Sequence, residues 1–284
     1  MKYIFFLLMF LLTVPDVRSQ NNDTQAAVFN IASGGFIGGV GAVINKKRDE
    51  KTLKVFGKGF YQGALGGYLV FESKRLISNL AATGNYNYGW PSKILNSAGN
   101  SIVVNAASNR NFWEKWQLNF GFNYMEYDFK SEKKFKYRVM PFALVSVAEG
   151  FARGSLDLDR SLALGQFVFR SNEDNPDYLG QAFANTLKYV PNRELTTAEV
   201  LTHEMIHVYQ YQGTFGFNSY LDKPVQKLKD DKKWFKIYSS IFYTDFNYIV
   251  NTGFNVFDTI FSIPVEQQID EKEAFYYQFR NNYD

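Results

Sequence analysis

Both histidines of this 284-residue chain lie in one short segment, TTAEVLTHEMIHVYQYQG, at residues 196–213. Thr196 precedes Glu199 by three residues, which is the spacing of a capping box, so a helix is predicted to begin at this threonine. In that helix His203 and His207 are one turn apart on the same face. Two imidazoles in this position can reach one metal ion, so the fold must bring further ligands to this helix.

Glu204 directly follows the first histidine and lies about 100° around the helix axis from it. It is therefore expected beside a bound metal ion rather than on it. Zn²⁺ lowers the pKa of a bound water to about 7, and a neighbouring carboxylate can accept the proton and pass it to a leaving group. The segment predicts a hydrolytic zinc site with Glu204 as general base and acid. The alternative is a pair of ordinary helical histidines.

A catalytic zinc ion is commonly held by three protein ligands, with a fourth position open. The third ligand cannot be cysteine or another histidine, because the chain has two histidines and no cysteine. It is therefore expected to be a carboxylate downstream, and residues 264–274, PVEQQIDEKEA, offer several. The absence of cysteine also excludes disulfides, so the core or a bound ion must stabilise the fold.

At these two motifs the sequence resembles the gluzincin branch of zinc metallopeptidases, in which a glutamate on a later helix completes HExxH, commonly within ExxAD or ExEA. Two alignments are open. In the preferred one Glu266 is the third ligand, Ile269 replaces the alanine of ExxAD, and Asp270 is an outer residue that orients a histidine. In the other, Glu271 begins an ExEA match and is the alternate third ligand.

The resemblance implies a zincin-like helical region over 191–284, a bound Zn²⁺ and hydrolysis of a peptide or protein substrate. It rests mainly on the two short motifs. HEMIHVYQ, with a glutamine three residues after the second histidine, is similar to the motif of poorly characterised exported or membrane-associated bacterial members. Such enzymes often use Tyr, His or Arg to stabilise the transition state, and Tyr276, Tyr277 and Arg280 are available on the expected ligand helix.

The first residues have the pattern of a secretory signal peptide. Lys2 precedes an apolar run from Tyr3 to Leu12, which is shorter than the roughly 20 residues that span a bilayer. We predict that residues 1–19 are a signal peptide that is cleaved after Ser19. The alternative is a retained anchor. The chain is therefore expected in the periplasm or at the cell envelope.

Region 20–110 is rich in glycine. The first uncharged run contains Gly34, Gly35, Gly38, Gly39 and Gly41, and the next contains Gly59, Gly63 and Gly67 at every fourth residue. Glycines at that spacing line one side of a helix and let another backbone approach closely, as in many membrane helices. The second run is too short to span a bilayer. Close packing in a soluble or surface-associated structure is therefore favoured over membrane insertion.

Region 111–190 has the alternating pattern that is typical of strands. In WQLNFGFNYMEYDF, apolar residues alternate with polar or small ones from Trp116 to Tyr124. KFKYRVMPFALVSV and LALGQFVFRS continue the β character, and a charged turn at residues 130–134 separates the first two segments. We expect an antiparallel sheet here and an α+β fold for the chain.

Two further features bear on partners. The net charge is only +3 and the charges are dispersed, which argues against nucleic acid as a partner. The aromatic stretch at residues 234–264 is favoured as a pair of core helices, with the wall of a peptide cleft or a surface lying on lipid as the alternative. A different class of function is a non-catalytic, membrane-associated envelope scaffold, in which the glycine-rich and aromatic segments contact the membrane and the metal site is structural or vestigial.

Overall fold

The computed structural model describes residues 22–172, 178–191, 195–263 and 268–280 and shows a mixed α+β protein. The N-terminal helices are α1 (Asp23–Asn45), α2 (Thr52–Thr83) and α3 (Gly89–Ala107). The middle region contains β1 (Lys115–Phe120), β2 (Asn123–Asp128), β3 (Phe135–Val139), α4 (Pro141–Arg153), β4 (Gly154–Leu156), α5 (Leu158–Leu164), β5 (Phe167–Ser171), β6 (Gly180–Phe183) and β7 (Thr186–Tyr189). The C-terminal helices are α6 (Thr197–Gly213), α7 (Asp222–Asp231), α8 (Lys233–Ile241), α9 (Asn247–Ile260) and α10 (Ile269–Phe279). The predicted signal peptide, residues 1–19, lies outside the described residues.

The glycines of the N-terminal helices lie where the helix backbones meet. A Cβ atom on Gly38 would lie 2.5 Å from the carbonyl oxygen of Gly59, and a Cβ atom on Gly66 would lie 2.6 Å from that of Gly99. Any side chain would therefore push the helices apart. The close packing that the glycine spacing predicts is confirmed for α1 against α2, and α2 packs against α3 in the same way.

α1 is long and apolar enough to cross a membrane when only length and composition are considered. A core helix of a soluble protein and a signal sequence meet the same criterion, and 44% of the apolar window of α1 is buried in the protein. The helix is therefore compatible with both an anchor and a core position.

The first sheet is antiparallel, with strand order β1-β2-β3. The charged turn predicted at residues 130–134 does join two strands, β2 and β3. The preceding alternating segment is two strands and not one, because the chain reverses at Gly121, whose φ of 53° suits glycine. Lys115 of β1 consequently pairs with Asp128 of β2.

The single antiparallel sheet expected over residues 111–190 is wrong. A second sheet has the order β4-β5-β7-β6, and its central pair, β5 and β7, is parallel. Part of the segment that was predicted as strand is helix α4, which begins at Pro141 and buries Ala143, Val147 and Gly150 on one face. Proline favours the first turn of a helix, and this spacing has the helical period.

α6 is the central helix of the C-terminal half. The capping box is present, since Thr196 accepts from the Glu199 backbone and the Glu199 side chain accepts from the Thr196 backbone. Its buried residues Leu201, Met205 and Val208 share one core with residues from α2, β5, β7 and α10. The motif helix is therefore held from several sides.

The interpretation of the aromatic stretch as a pair of core helices is wrong for its outer faces. Trp234 is 63% exposed and Ile260 is 70% exposed, and Ile237, Ile241 and Ile249 are also more than half exposed. Only Phe235 is buried in α8. Both helices therefore present apolar side chains to the surroundings.

Candidate metal centre

The two histidines of α6 turn their rings toward each other and toward α10. The Nε2 atoms of His203 and His207 are 3.1 Å apart. The Glu271 carboxylate lies 3.3 Å from Nε2 of His203 and 3.5 Å from Nε2 of His207. These three residues form a cluster that could hold a metal ion, with ligand atoms within 4.8 Å of one another.

The far nitrogen of each ring fixes its tautomer. Nδ1 of His203 lies 3.1 Å from Oε1 of Gln278, and Nδ1 of His207 lies 2.8 Å from Oε1 of Gln210. An amide oxygen only accepts hydrogen bonds, so each Nδ1 carries the proton and donates it. In the neutral rings both Nε2 lone pairs then face the Glu271 carboxylate, and a cation between them would relieve the repulsion.

The separation of these atoms suits a zinc-sized ion. Two nitrogens bound at roughly 2.0–2.1 Å with tetrahedral angles are about 3.3 Å apart, which is close to the 3.1 Å between the two Nε2 atoms. A set of two imidazoles and one carboxylate is also among the donor sets that catalytic zinc accepts. The residues present therefore fit a divalent metal.

The charges in the cluster favour a cation as well. Without a metal ion, a proton on the ring takes the place of that cation: burial alone would lower the pKa of His207, but Glu271 and Glu204 raise it to about 9. Burial alone would raise the pKa of Glu271, but hydrogen bonds from His203 and His207 hold it far below its usual range. Positive charge is thus stabilised beside the carboxylates, and a metal ion supplies it without a proton.

Glu204 is buried next to the cluster and contacts β6. Burial raises its pKa, the two histidines oppose that effect, and its carboxylate accepts a hydrogen bond from the backbone N–H of Ala182. The strand passes so close that a Cβ atom on Gly180 would collide with Oε1 of Glu204 and lie 2.7 Å from Cγ1 of Val200. Glycine at this position therefore lets the strand and the carboxylate meet.

A buried polar chain supports His207 from behind. Nε2 of Gln210 donates to Oε2 of Glu273 at 2.9 Å, and Oε1 of Glu273 pairs with Lys74 at 2.7 Å, with both side chains almost fully buried. Asn30 donates to the same glutamate at 2.9 Å and accepts from Lys74 at 3.0 Å. Asn30 lies on α1 and Lys74 on α2, so the glycine-rich helices reach the candidate metal centre.

The structure places the other predicted site residues as follows. The preferred third ligand, Glu266, lies outside the described residues. Asp270 contacts the site through its backbone carbonyl, which accepts from Gln210 at 2.8 Å, and not through a carboxylate bond to a histidine. Tyr276 and Arg280 both bind Asp23, and so are engaged outside the cleft.

Sequence reasoning missed the residues that support the ligands: Gln278, Glu273, Lys74 and Asn30. The sequence did indicate Gln210, because this glutamine lies three residues after the second histidine in the motif HEMIHVYQ. A lone asparagine in the apolar run of α1 was a weaker signal. Nothing in the sequence paired either α1 or α2 with α10.

The cluster opens into a cleft of about 650 Å³. The floor is formed by His203, Glu204, His207 and Glu271, and β6 forms one wall. β6 is an edge strand of its sheet. Tyr248, which stacks on Phe142 with ring centres 4.3 Å apart, lines another side.

Comparison of the sequence with protein-family models and with curated proteins, and of the fold with solved structures, found no match.

Proposed function

We propose that this protein is an exported, zinc-dependent hydrolase that cleaves peptide bonds. The observation that carries the proposal is the convergence of two imidazole lone pairs and a carboxylate on one point, with a buried glutamate beside them. The resemblance to gluzincins at HExxH agrees with this geometry. In our proposal His203, His207 and Glu271 are the ligands, and Glu271 takes the third position by its distance to both rings.

When bound, zinc would polarise a substrate carbonyl and lower the pKa of water at the site. The residues of the chain then have separate tasks. Gln278 and Gln210 hold the imidazoles in the tautomer that leaves Nε2 free. Glu204 accepts a proton from water as general base and returns it to the leaving amine as general acid.

A peptide is the favoured substrate because an edge strand lies beside the base. An extended peptide can add to such a strand through main-chain hydrogen bonds. β6 is at the edge of its sheet, and Ala182 of β6 donates to Glu204. A peptide bound along β6 would therefore have its backbone close to the carboxylate that moves the proton.

We also propose that the protein works at the cell envelope, with the outer faces of α8 and α9 against lipid. Trp234, Ile237 and Ile241 lie on one exposed face of α8. Lys232, Lys233 and Lys236 lie in the same stretch, and anionic lipid attracts such lysines. Co-sedimentation with anionic vesicles, lost on Trp234→Asp but kept on Tyr61→Asp at an exposed site of α2, would support this placement. Equal retention of both variants would contradict it.

The experiment for the hydrolase is the Glu204→Gln variant. We expect cleavage of a mixed peptide library to fall by roughly 10² to 10⁴-fold, the usual contribution of a positioned general base. Zinc content after mild purification should equal that of the parent protein, because Glu204 is not a proposed ligand. Glu132→Gln, an exposed acid in the β2–β3 turn, is the matched control and should leave both quantities unchanged.

Two results would contradict the assignment. Loss of zinc from Glu204→Gln would make this glutamate a ligand rather than a base. Stoichiometric zinc in the parent protein with no cleavage of any peptide would favour the scaffold alternative, in which the metal only holds α6 and α10 together.

A further inference from the structure

A second cavity, of about 520 Å³, lies between the first sheet and helices α7 and α8. It shares no lining residue with the metal cleft. The proposed hydrolytic reaction uses none of its side chains. The charge of its walls and the hydrogen-bond donors without acceptors there indicate which class of ligand the cavity can bind.

Basic side chains outnumber acidic ones in the walls. The basic side chains are those of Arg110, Lys115, Lys136, Arg138, Lys223 and Lys229. The two acids are already engaged: Glu126 pairs with Arg138 at 3.0 Å and Lys115 at 3.2 Å, and Asp222 accepts from Ser108 at 2.8 Å. The cavity therefore has surplus positive charge.

Several donors in the walls have no acceptor among the described residues. Gln117 is only 8% exposed, and its Nε2 atom has no hydrogen-bond partner, while its Oε1 atom accepts from Tyr124. The buried Nε atom of Arg138 is also without an acceptor. Lys229 is half-buried and pairs with no described carboxylate. Burial lowers its pKa, and the nearby charges of Arg138 and Lys115 lower it further. Unpaired buried donors are costly, so this wall is suited to an acceptor group with negative charge.

Aromatic rings form the rest of the cavity. Tyr124 and Tyr243 are stacked with ring centres 3.9 Å apart, and the Arg138 guanidinium lies about 5 Å from both rings. Trp116 and Phe242 also line the space. A volume of 520 Å³ is far larger than an oxyanion needs, so the apolar part of a ligand can occupy the space beside these rings.

We propose that this cavity binds a phosphate monoester, with the phosphate at Lys229 and Arg138 and the organic group against the aromatic wall. Phosphate accepts several hydrogen bonds and pairs strongly with arginine and lysine. The ester could be a soluble small molecule or the headgroup of a lipid, since α8, whose opposite face is exposed and apolar, lines the cavity.

The first experiment measures binding of phenyl phosphate to the full mature protein by isothermal titration calorimetry. Saturable binding is expected, weaker at high salt and about tenfold weaker in Lys229→Gln, the value of one charge-assisted contact. Lys227→Gln is the matched control, because it removes an exposed lysine from the same helix without lining the cavity. Its affinity should equal that of the parent protein. Glu204→Gln should also bind normally, so this test is independent of the hydrolase proposal.

The second experiment uses phosphatidylcholine vesicles with and without phosphatidic acid. Binding of soluble phenyl phosphate that depends on Lys229 would support a soluble ligand. Binding only to vesicles with phosphatidic acid, reduced by Lys229→Gln and not by Lys227→Gln, would support a lipid headgroup. No binding in either experiment, or equal effects of the two substitutions, would overturn the proposal.

Discussion

Two faces of α6 carry polar side chains, and they differ in how those polar groups are satisfied. On the inner face, Tyr209 shares a hydrogen bond of 2.8 Å with Ser92, and Gln212 uses both ends of its amide. The partners of Gln212 are Asn96, Asn119 and Asn185, at 2.6 to 3.0 Å. On the outer face, the Nε2 lone pairs of two neutral imidazoles and the Glu271 carboxylate converge on one point. Donors match acceptors on one face of the helix and not on the other.

This contrast separates polar groups that stabilise the core from polar groups that are suited to bind a ligand. A buried network whose donors and acceptors match rigidifies the core and binds nothing further. A group of acceptors with no donor between them is costly unless a cation joins it. The outer face is therefore the one that suits a metal ion, although the inner face contains more buried polar residues.

The largest expected effect follows from removing the buried ammonium group of Lys74, which pairs with Glu273 behind the outer face. Lys74→Met leaves Glu273 buried without its ion-pair partner, which typically costs about 3–5 kcal/mol. Urea unfolding in the presence of a chelator would measure the loss apart from metal binding. Arg75→Met, at a neighbouring residue whose side chain is 44% exposed, should cost less than about 1 kcal/mol. Similar losses for both variants would show that the buried pair has no special weight.

The second prediction concerns the amide that orients His207. Gln210→Ala removes the acceptor for Nδ1, so the ring can adopt the wrong tautomer. Zinc affinity should fall about 10 to 100-fold, as for other outer partners of metal ligands. Competition with a chromophoric chelator would measure the change. Gln181→Ala, an exposed glutamine of the same cleft, should have no effect, and an unchanged affinity in Gln210→Ala would refute the orienting role.

The third prediction concerns the contact between β6 and Glu204, the proposed general base. Gly180→Ala should displace the Glu204 carboxylate and lower kcat about tenfold, since small misplacements of a catalytic group are expensive. Zinc content should be unchanged. Gly213→Ala is the control, because a Cβ atom there meets nothing within 4 Å. Full activity in Gly180→Ala would show that the strand does not position the base.

The last prediction tests the inner face through pH. Lys93 is fully buried, donates to Asn119 at 3.3 Å, and has its pKa lowered by burial to about 7. The unfolded chain retains the ordinary value near 10.4, so between these values the unfolded state binds more protons and stability rises with pH. This contribution should be about 1.4 kcal/mol per pH unit.

Replacing this lysine by methionine should remove its contribution to the rise of the unfolding free energy with pH. Lys93→Met is expected to gain most stability over the parent protein below pH 7, where the buried lysine is charged. The gain should shrink as the pH approaches 10. Urea unfolding of both proteins at pH 6.5 and 9 would measure it, and a gain that grows with pH would contradict the assignment.

The sequence alone determined the local features of this protein. The capping box, the helix of the HExxH motif, the close packing of the glycine helices and the hairpin at residues 130–134 all depend on neighbours in the chain, so their signals are local. The same local patterns were ambiguous around Gly121 and Pro141, where a two-residue turn and a helix start replaced expected strand.

The tertiary structure decided which residues surround the motif. The motif alignment preferred Glu266, which lies outside the described residues, with Glu271 as the alternate; α10 begins at Ile269 and packs against α6 so that Glu271 lies within 3.5 Å of both imidazoles. The tertiary structure also brings Lys74 of α2 to Glu273 of α10, 199 residues away in the sequence. Such contacts depend on the angles at which the helices cross, and the packing of the whole core determines those angles. The spacing of residues in the sequence does not specify them.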